Sequence, residues 1–108
     1  MKVGVIEYID SAHYLPKHKS CGKLHGHTYK IEITLEGEKK EGIVIDFHDL
    51  KAMVREVLKE YDHRPLNELM DFPSCENLCE SIYAKLEEKL EFPFTLRVWE
   101  GRNKWVEK

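Results

Sequence analysis

The sequence predicts an α+β fold, one four-stranded antiparallel sheet with two helices on one of its faces. Three observations carry that prediction. Segments of period-two hydrophobicity open and close the chain, as half-buried strands require. Two stretches of helical period, each preceded by an N-cap residue, stand between them. The 108 residues suit one core, so a single domain spanning 1–108 is expected. Charged residues make up 34% with both signs interleaved, and the net charge is only −3. Neither a nucleic-acid surface nor a membrane surface is indicated. No apolar run approaches a membrane span, the N-terminus lacks the layout of a signal peptide, and three cysteines, an odd number, fit a reducing compartment. A cytoplasmic protein is expected.

Residues 2–14 read as the first strand. Val3 and Val5, then Ile6, Tyr8, Ala12 and Tyr14, alternate with one shift of phase, which predicts a bulge. Pro16 ends it, because proline cannot donate to a ladder. Residues 16–24 form a basic loop with Lys17, His18, Lys19 and Lys23, and it carries Cys21. Such lysines are either solvated or receive a polyanionic tail. In the second strand Ile31, Ile33 and Leu35 alternate with polar residues, and the same phase carried backwards includes Tyr29, His27 and His25. The polar turn 36–42 follows, and Ile43, Val44 and Ile45 read as a short strand end.

Asp46 is placed to cap a helix whose stripe is Leu50, Met53, Val54, Val57 and Leu58. Tyr61 to Asn67 breaks that pattern, since Pro65 disfavours helix at Arg64. Within it, Asp62 directly before His63 could form a dyad in which a carboxylate orients an imidazole, although adjacent Asp and His also occur often by chance. Ser74 caps a second helix with the row Leu78, Ile82, Leu86 and Leu90. Cys75 and Cys79, four apart, suit packing against the sheet better than metal binding. After Pro93 a third strand runs from Phe94 to Glu100, and a turn at Gly101-Arg102-Asn103 leads to a last short strand, Asn103 to Glu107.

The stretch from Cys21 to His27 concentrates the chemistry. His25 and His27 stand about 7 Å apart along one strand face, close enough for both imidazoles to meet one ion. If the first two strands pair antiparallel, His13 arrives beside them as a third ligand. The competing reading is a set of buried histidines satisfied by hydrogen bonds.

These motifs, in this order, resemble the 6-pyruvoyl-tetrahydropterin synthase family: Asp-Ser-Ala-His13, Cys21-Gly-Lys-Leu-His25-Gly-His27, Ile45-Asp46-Phe47, Asp62-His63 with Leu66-Asn67, Ser74-Cys75-Glu76-Asn77 and Val98-Trp99-Glu100. The resemblance covers nearly the whole chain. The gap of three between Cys21 and His25 is closest to the 6-carboxy-5,6,7,8-tetrahydropterin synthase branch, and Cys21 disfavours the branch that uses a glutamate instead. The resemblance implies a tunnelling fold whose subunits close a twelve-stranded barrel as trimers, stack into a homohexamer and place active sites between subunits.

It also implies a zinc-dependent carbon–carbon lyase of 7-deazaguanine (queuosine or archaeosine) biosynthesis. The implied substrate is 7,8-dihydroneopterin 3'-triphosphate, giving 6-carboxy-5,6,7,8-tetrahydropterin, acetaldehyde and triphosphate. His13, His25 and His27 would hold Zn2+. Cys21 would act as general base, Asp62 and His63 would shuttle a second proton, and Glu100 would bind the pterin and join the relay. Ser74, Cys75 and Glu76 would line the pterin pocket. Relatives carry threonine where Ser74 stands and often after the pterin glutamate, where this chain has Gly101. Rival expectations are 6-pyruvoyl-tetrahydropterin synthase, which eliminates triphosphate, and a non-catalytic pterin- or metal-binding module.

Overall fold

The computed structural model describes all residues from Met1 to Lys108. Its elements are β1 (Lys2–His13), β2 (His25–Glu36), α1 (Phe47–Leu58), α2 (Cys75–Glu87), β3 (Phe94–Glu100) and β4 (Trp105–Glu107), with a 3-10 turn at Leu66–Glu68. The strands form one antiparallel sheet in the order β1-β2-β3-β4, and both helices lie in the connection from β2 to β3. No helix is long and apolar enough to cross a membrane.

Both helix starts follow from their caps. The Asp46 carboxylate accepts from the N–H of His48 at 2.7 Å and of Asp49 at 3.3 Å. Ser74 Oγ accepts from the N–H of Asn77 at 3.1 Å. Each cap satisfies N–H groups that the first helical turn leaves free. Leu50, Val54, Val57 and Leu58 of α1, and Leu78, Cys79, Ile82 and Leu86 of α2, then pack on the inward sheet row of Val5, Ile9, Tyr29, Ile31, Ile33, Leu35, Leu96 and Val98. Each fully buried aliphatic side chain in that layer contributes about 1.5–3 kcal/mol. Met53, expected in the core, packs against it only half-buried.

Three expectations need correction. β1 and β2 pair without interruption from Lys2 opposite Glu36 to His13 opposite His25, so β1 has no bulge. Ile6 and Tyr8 face outward instead, 48% and 56% exposed, and apolar residues on the outer face mimicked a change of phase. Ile43 to Ile45 adds no strand to the sheet: Lys40 and Ile43 exchange two backbone hydrogen bonds in a tight turn, and Ile43 stays exposed. Three apolar residues after a charged turn are too few to hold a ladder of their own. β4 begins at Trp105 rather than Asn103, because the turn after Glu100 takes up the intervening residues.

Candidate metal centre and adjoining pocket

The uninterrupted register decides the geometry. His13, the last residue of β1, is the cross-strand partner of His25, the first of β2, and His27 pairs with Ser11. All sit at odd positions, so all point to the side the helices cover. The imidazole centroids lie 4.7 Å (His13–His25), 5.0 Å (His13–His27) and 4.8 Å (His25–His27) apart. One ligating atom from each lies within 4.8 Å of those of the others.

Hydrogen bonds fix two of the three tautomers. His13 Nδ1–H donates to the Pro73 carbonyl at 2.7 Å, and His25 Nδ1–H donates to the Lys23 carbonyl at 2.6 Å. Each Nε2 therefore carries a free lone pair, the arrangement a metal-bound histidine adopts. Nε2 of His13 and of His27 are both buried without any hydrogen-bond partner. Buried polar atoms are ordinarily paired, and two unpartnered imidazole nitrogens in one cluster fit a shared cation. Burial holds the His27 pKa below 6.5, reinforced by His13 and His25 and opposed by Glu100, so the ring is kept neutral and able to ligate. Beneath the cluster the Tyr29 hydroxyl is 3.3 Å from His13 Nδ1, and burial raises its pKa, so it remains a neutral phenol.

Glu100 joins this cluster to a pocket. Its Oε1 is 3.5 Å from His27 Nε2. Beside it opens a cavity of about 230 Å³ whose lining includes Glu100, Ser74, Cys75 and Glu76, the four residues expected to bind substrate. Cys75 Sγ–H donates to the Val98 carbonyl, and burial together with Glu100 pushes the thiol up to about 12, so it stays protonated and forms a wall. Gly101 follows Glu100 at φ +73°, a conformation that favours glycine, and its N–H donates to the Thr28 carbonyl. A turn this tight directly behind the carboxylate accounts for glycine at that position. The lining also includes Leu15, Lys104 and Trp105, which the sequence reading missed. Lys104 closes the β3–β4 turn and Trp105 opens β4, a few residues after Glu100, and that position was the available signal.

Asp62 and His63 lie apart from this cluster and form a second group with Asp10. Asp62 Oδ1 is 2.9 Å from His63 Nδ1 and also accepts from the Asp10 N–H at 2.9 Å, while Arg55 donates to Oδ2 at 3.2 Å. Burial opposes ionisation of Asp62, but the Asp10 N–H, His63 and Arg55 outweigh it, and its pKa is lowered. His63 holds φ +58°, a strained backbone for a non-glycine residue, while its N–H donates to the Asp10 carbonyl. The dyad thus sits on the free edge of β1, beside a cleft of about 500 Å³. Cys21 is half-buried on the 14–24 loop, and its Sγ lies 3.7 Å from Ser20 Oγ.

Residues 2–108 match the family described as 6-pyruvoyl tetrahydropterin synthase. The chain belongs to that family. It is 44% identical over 108 residues to a putative 6-carboxy-5,6,7,8-tetrahydropterin synthase of Archaeoglobus fulgidus, covering 99% of this chain and 94% of the relative. It is 42% identical over 101 residues to the dihydroneopterin monophosphate aldolase of Pyrococcus furiosus, covering 91% of this chain and 88% of the relative. The 6-carboxy-5,6,7,8-tetrahydropterin synthase of Bacillus subtilis is 31% identical, with 78% of this chain and 64% of the relative covered. In fold, the chain superimposes on the Caenorhabditis elegans 6-pyruvoyl tetrahydropterin synthase with a TM-score of 0.89 at 21% identity, covering 100% of this chain and 94% of the other. The expected ββααββ tunnelling fold is therefore present, and the chain is a member of an enzyme family acting on pterins.

Proposed function

We propose that this protein is a zinc-dependent 6-carboxy-5,6,7,8-tetrahydropterin synthase, acting in the cytoplasm on 7,8-dihydroneopterin 3'-triphosphate in 7-deazaguanine biosynthesis. One observation carries the reading: the imidazole cluster and the Glu100 pocket adjoin, joined by the His27–Glu100 contact. A pterin ring seated in the pocket has its side chain directed at the cluster. His13, His25 and His27 would hold the zinc ion, which would supply a Lewis acid for the side-chain oxygens.

The chain's own residues supply the rest. Glu100 accepts hydrogen bonds from the ring's amino group and adjoining N–H, which fixes orientation and distance. Ser74, Cys75 and Glu76 wall the ring. Cys21 takes a proton from the side-chain carbon. His63, oriented by Asp62, moves the second proton. Because the dyad lies on the β1 edge, outside the cluster of its own chain, this reading places it in the site of a neighbouring subunit. A trimeric twelve-stranded barrel, two of which stack into a hexamer, supplies that neighbour.

A second reading is favoured by the 42% identity to a dihydroneopterin monophosphate aldolase over most of both chains. The same pocket and cluster then cleave the side chain of the monophosphate by retro-aldol chemistry. Products decide. Zinc-loaded protein given the triphosphate should release acetaldehyde and triphosphate and leave a carboxylated pterin. Release of a phosphorylated two-carbon aldehyde from the monophosphate, with the triphosphate untouched, selects the aldolase. Loss of triphosphate with the side-chain carbons intact selects the pyruvoyl reaction. Binding without turnover, unaltered in Cys21→Ala, selects a binding module.

A further inference from the structure

Residues 62–67 run alongside the last residues of β1 as a strap. His63 N–H donates to the Asp10 carbonyl at 2.7 Å, and the Ala12 N–H donates to the Arg64 carbonyl at 3.4 Å. The final rung is made by a side chain. Asn67 Oδ1 accepts from the Tyr14 N–H at 3.0 Å, and Asn67 Nδ2 donates to the Tyr14 carbonyl at 2.9 Å. The amide takes the place of a peptide group on a missing neighbouring strand. Tyr14 lies beyond the β1–β2 ladder, which ends at His13.

From Tyr14 the contacts continue to the thiol. The next residue, Leu15, donates its N–H to the Cys21 carbonyl at 2.7 Å and accepts from the His18 N–H at 3.0 Å. The His18 ring then accepts the Cys21 N–H at 3.1 Å. Hydrogen bonds from Asn67 to Tyr14 and from Leu15 to Cys21, joined by the Tyr14–Leu15 peptide bond, therefore connect Asn67 to the Cys21 backbone. On its other flank Tyr14 adjoins His13, which the Pro73 carbonyl orients.

We propose that Asn67 is a positioning residue that sets the Cys21 sulfur relative to the imidazole cluster. This rests on the reading of Cys21 as the base. Asn67 makes the side-chain hydrogen bonds that tie the base of the β1–β2 loop to a segment beyond the two strands, and a misplacement of about 1 Å at a reacting group costs about a hundredfold in rate. Asn67 reaches the loop only through the backbone of Tyr14, so its loss should alter placement of the thiol and leave the pterin pocket intact.

The test compares wild type, Asn67→Ala and Asn67→Asp. In Asn67→Asp the acceptor for the Tyr14 N–H remains and the donor to the carbonyl is lost. Deuterium exchange over residues 14–22, alkylation of Cys21 by iodoacetamide followed by peptide mapping, and zinc content are read together with kcat and KM. In Asn67→Ala, exchange at Tyr14, Leu15 and Cys21 should quicken by about five- to tenfold, the loss of one or two ordinary hydrogen bonds. The Cys21 alkylation rate should change, zinc content should not, and kcat should fall about tenfold or more with KM within about twofold. Asn67→Asp should fall between. Unchanged exchange and alkylation overturn the proposal, as does faster exchange spread evenly through α1 and α2, which would mark a purely structural residue. If wild type turns over neither pterin phosphate, the function reading fails, while exchange and alkylation still decide the clamp.

Discussion

One face of β2 carries two different surfaces at the same two-residue spacing. Leu35, Ile33, Ile31 and Tyr29 are wholly covered by α1, α2 and each other, whereas His27 and His25 are only partly covered. The apolar half gains from every neighbour it touches. The histidine half leaves a buried ring nitrogen of His27, like that of His13 beside it, without a hydrogen bond, which costs stability in the free protein and fits a site where something else binds. The difference teaches that stability and chemistry are divided along a single strand, and the division can be attacked from either end.

The largest effect belongs to the apolar half. Ile31→Ala should destabilise the protein by about 2–5 kcal/mol in denaturant melts, with metal present or absent. A loss below that range would mean the core lies elsewhere. His25→Ala should behave oppositely, abolishing metal binding while leaving the metal-free protein within about 1 kcal/mol of wild type. Adding zinc at a hundred times its dissociation constant should stabilise wild type by about 2.7 kcal/mol and leave His25→Ala unmoved. An equal thermal shift in both would detach the stabilisation from the imidazoles.

Glu100→Gln should weaken dihydropterin affinity about tenfold or more, as loss of hydrogen bonds to a charged acceptor does, with zinc retained. Unchanged affinity by pterin fluorescence would remove Glu100 from the pocket's function. The smallest effect is a pH dependence. His27 titrates below 6.5 when folded, so the unfolded chain binds more protons just below that pH. Metal-free stability should therefore fall as pH drops below 6.5, and His27→Gln should flatten that limb. Asp62, lowered from 3.8, contributes stability that is lost only at more acidic pH, so the two regions titrate in separate windows.

Much of this division was legible in the sequence because it depends on parity and local chemistry. A period of two put His25 and His27 in phase with Ile31, Ile33 and Leu35, and Asp46 and Ser74 announced their helices through side-chain oxygens at the right place. The residues that failed to show were those whose role depends on another segment. Pro73 matters through its carbonyl, which any residue would supply, and its partner His13 is sixty positions away. Asn67 acts on Tyr14 across fifty-three positions. Ile6 and Tyr8 suggested a bulge because hydrophobicity alone does not tell an apolar outer face from a shifted inner one.

The central claim is that three imidazoles from two strand ends hold one catalytic metal ion. Metal content per chain, measured on purified wild type and His25→Ala alongside turnover of the pterin phosphates, tests it most directly. The account predicts one ion per wild-type chain, and loss of ion and turnover together in the variant. A variant that keeps its metal, or one that loses the metal yet retains full turnover, would contradict it.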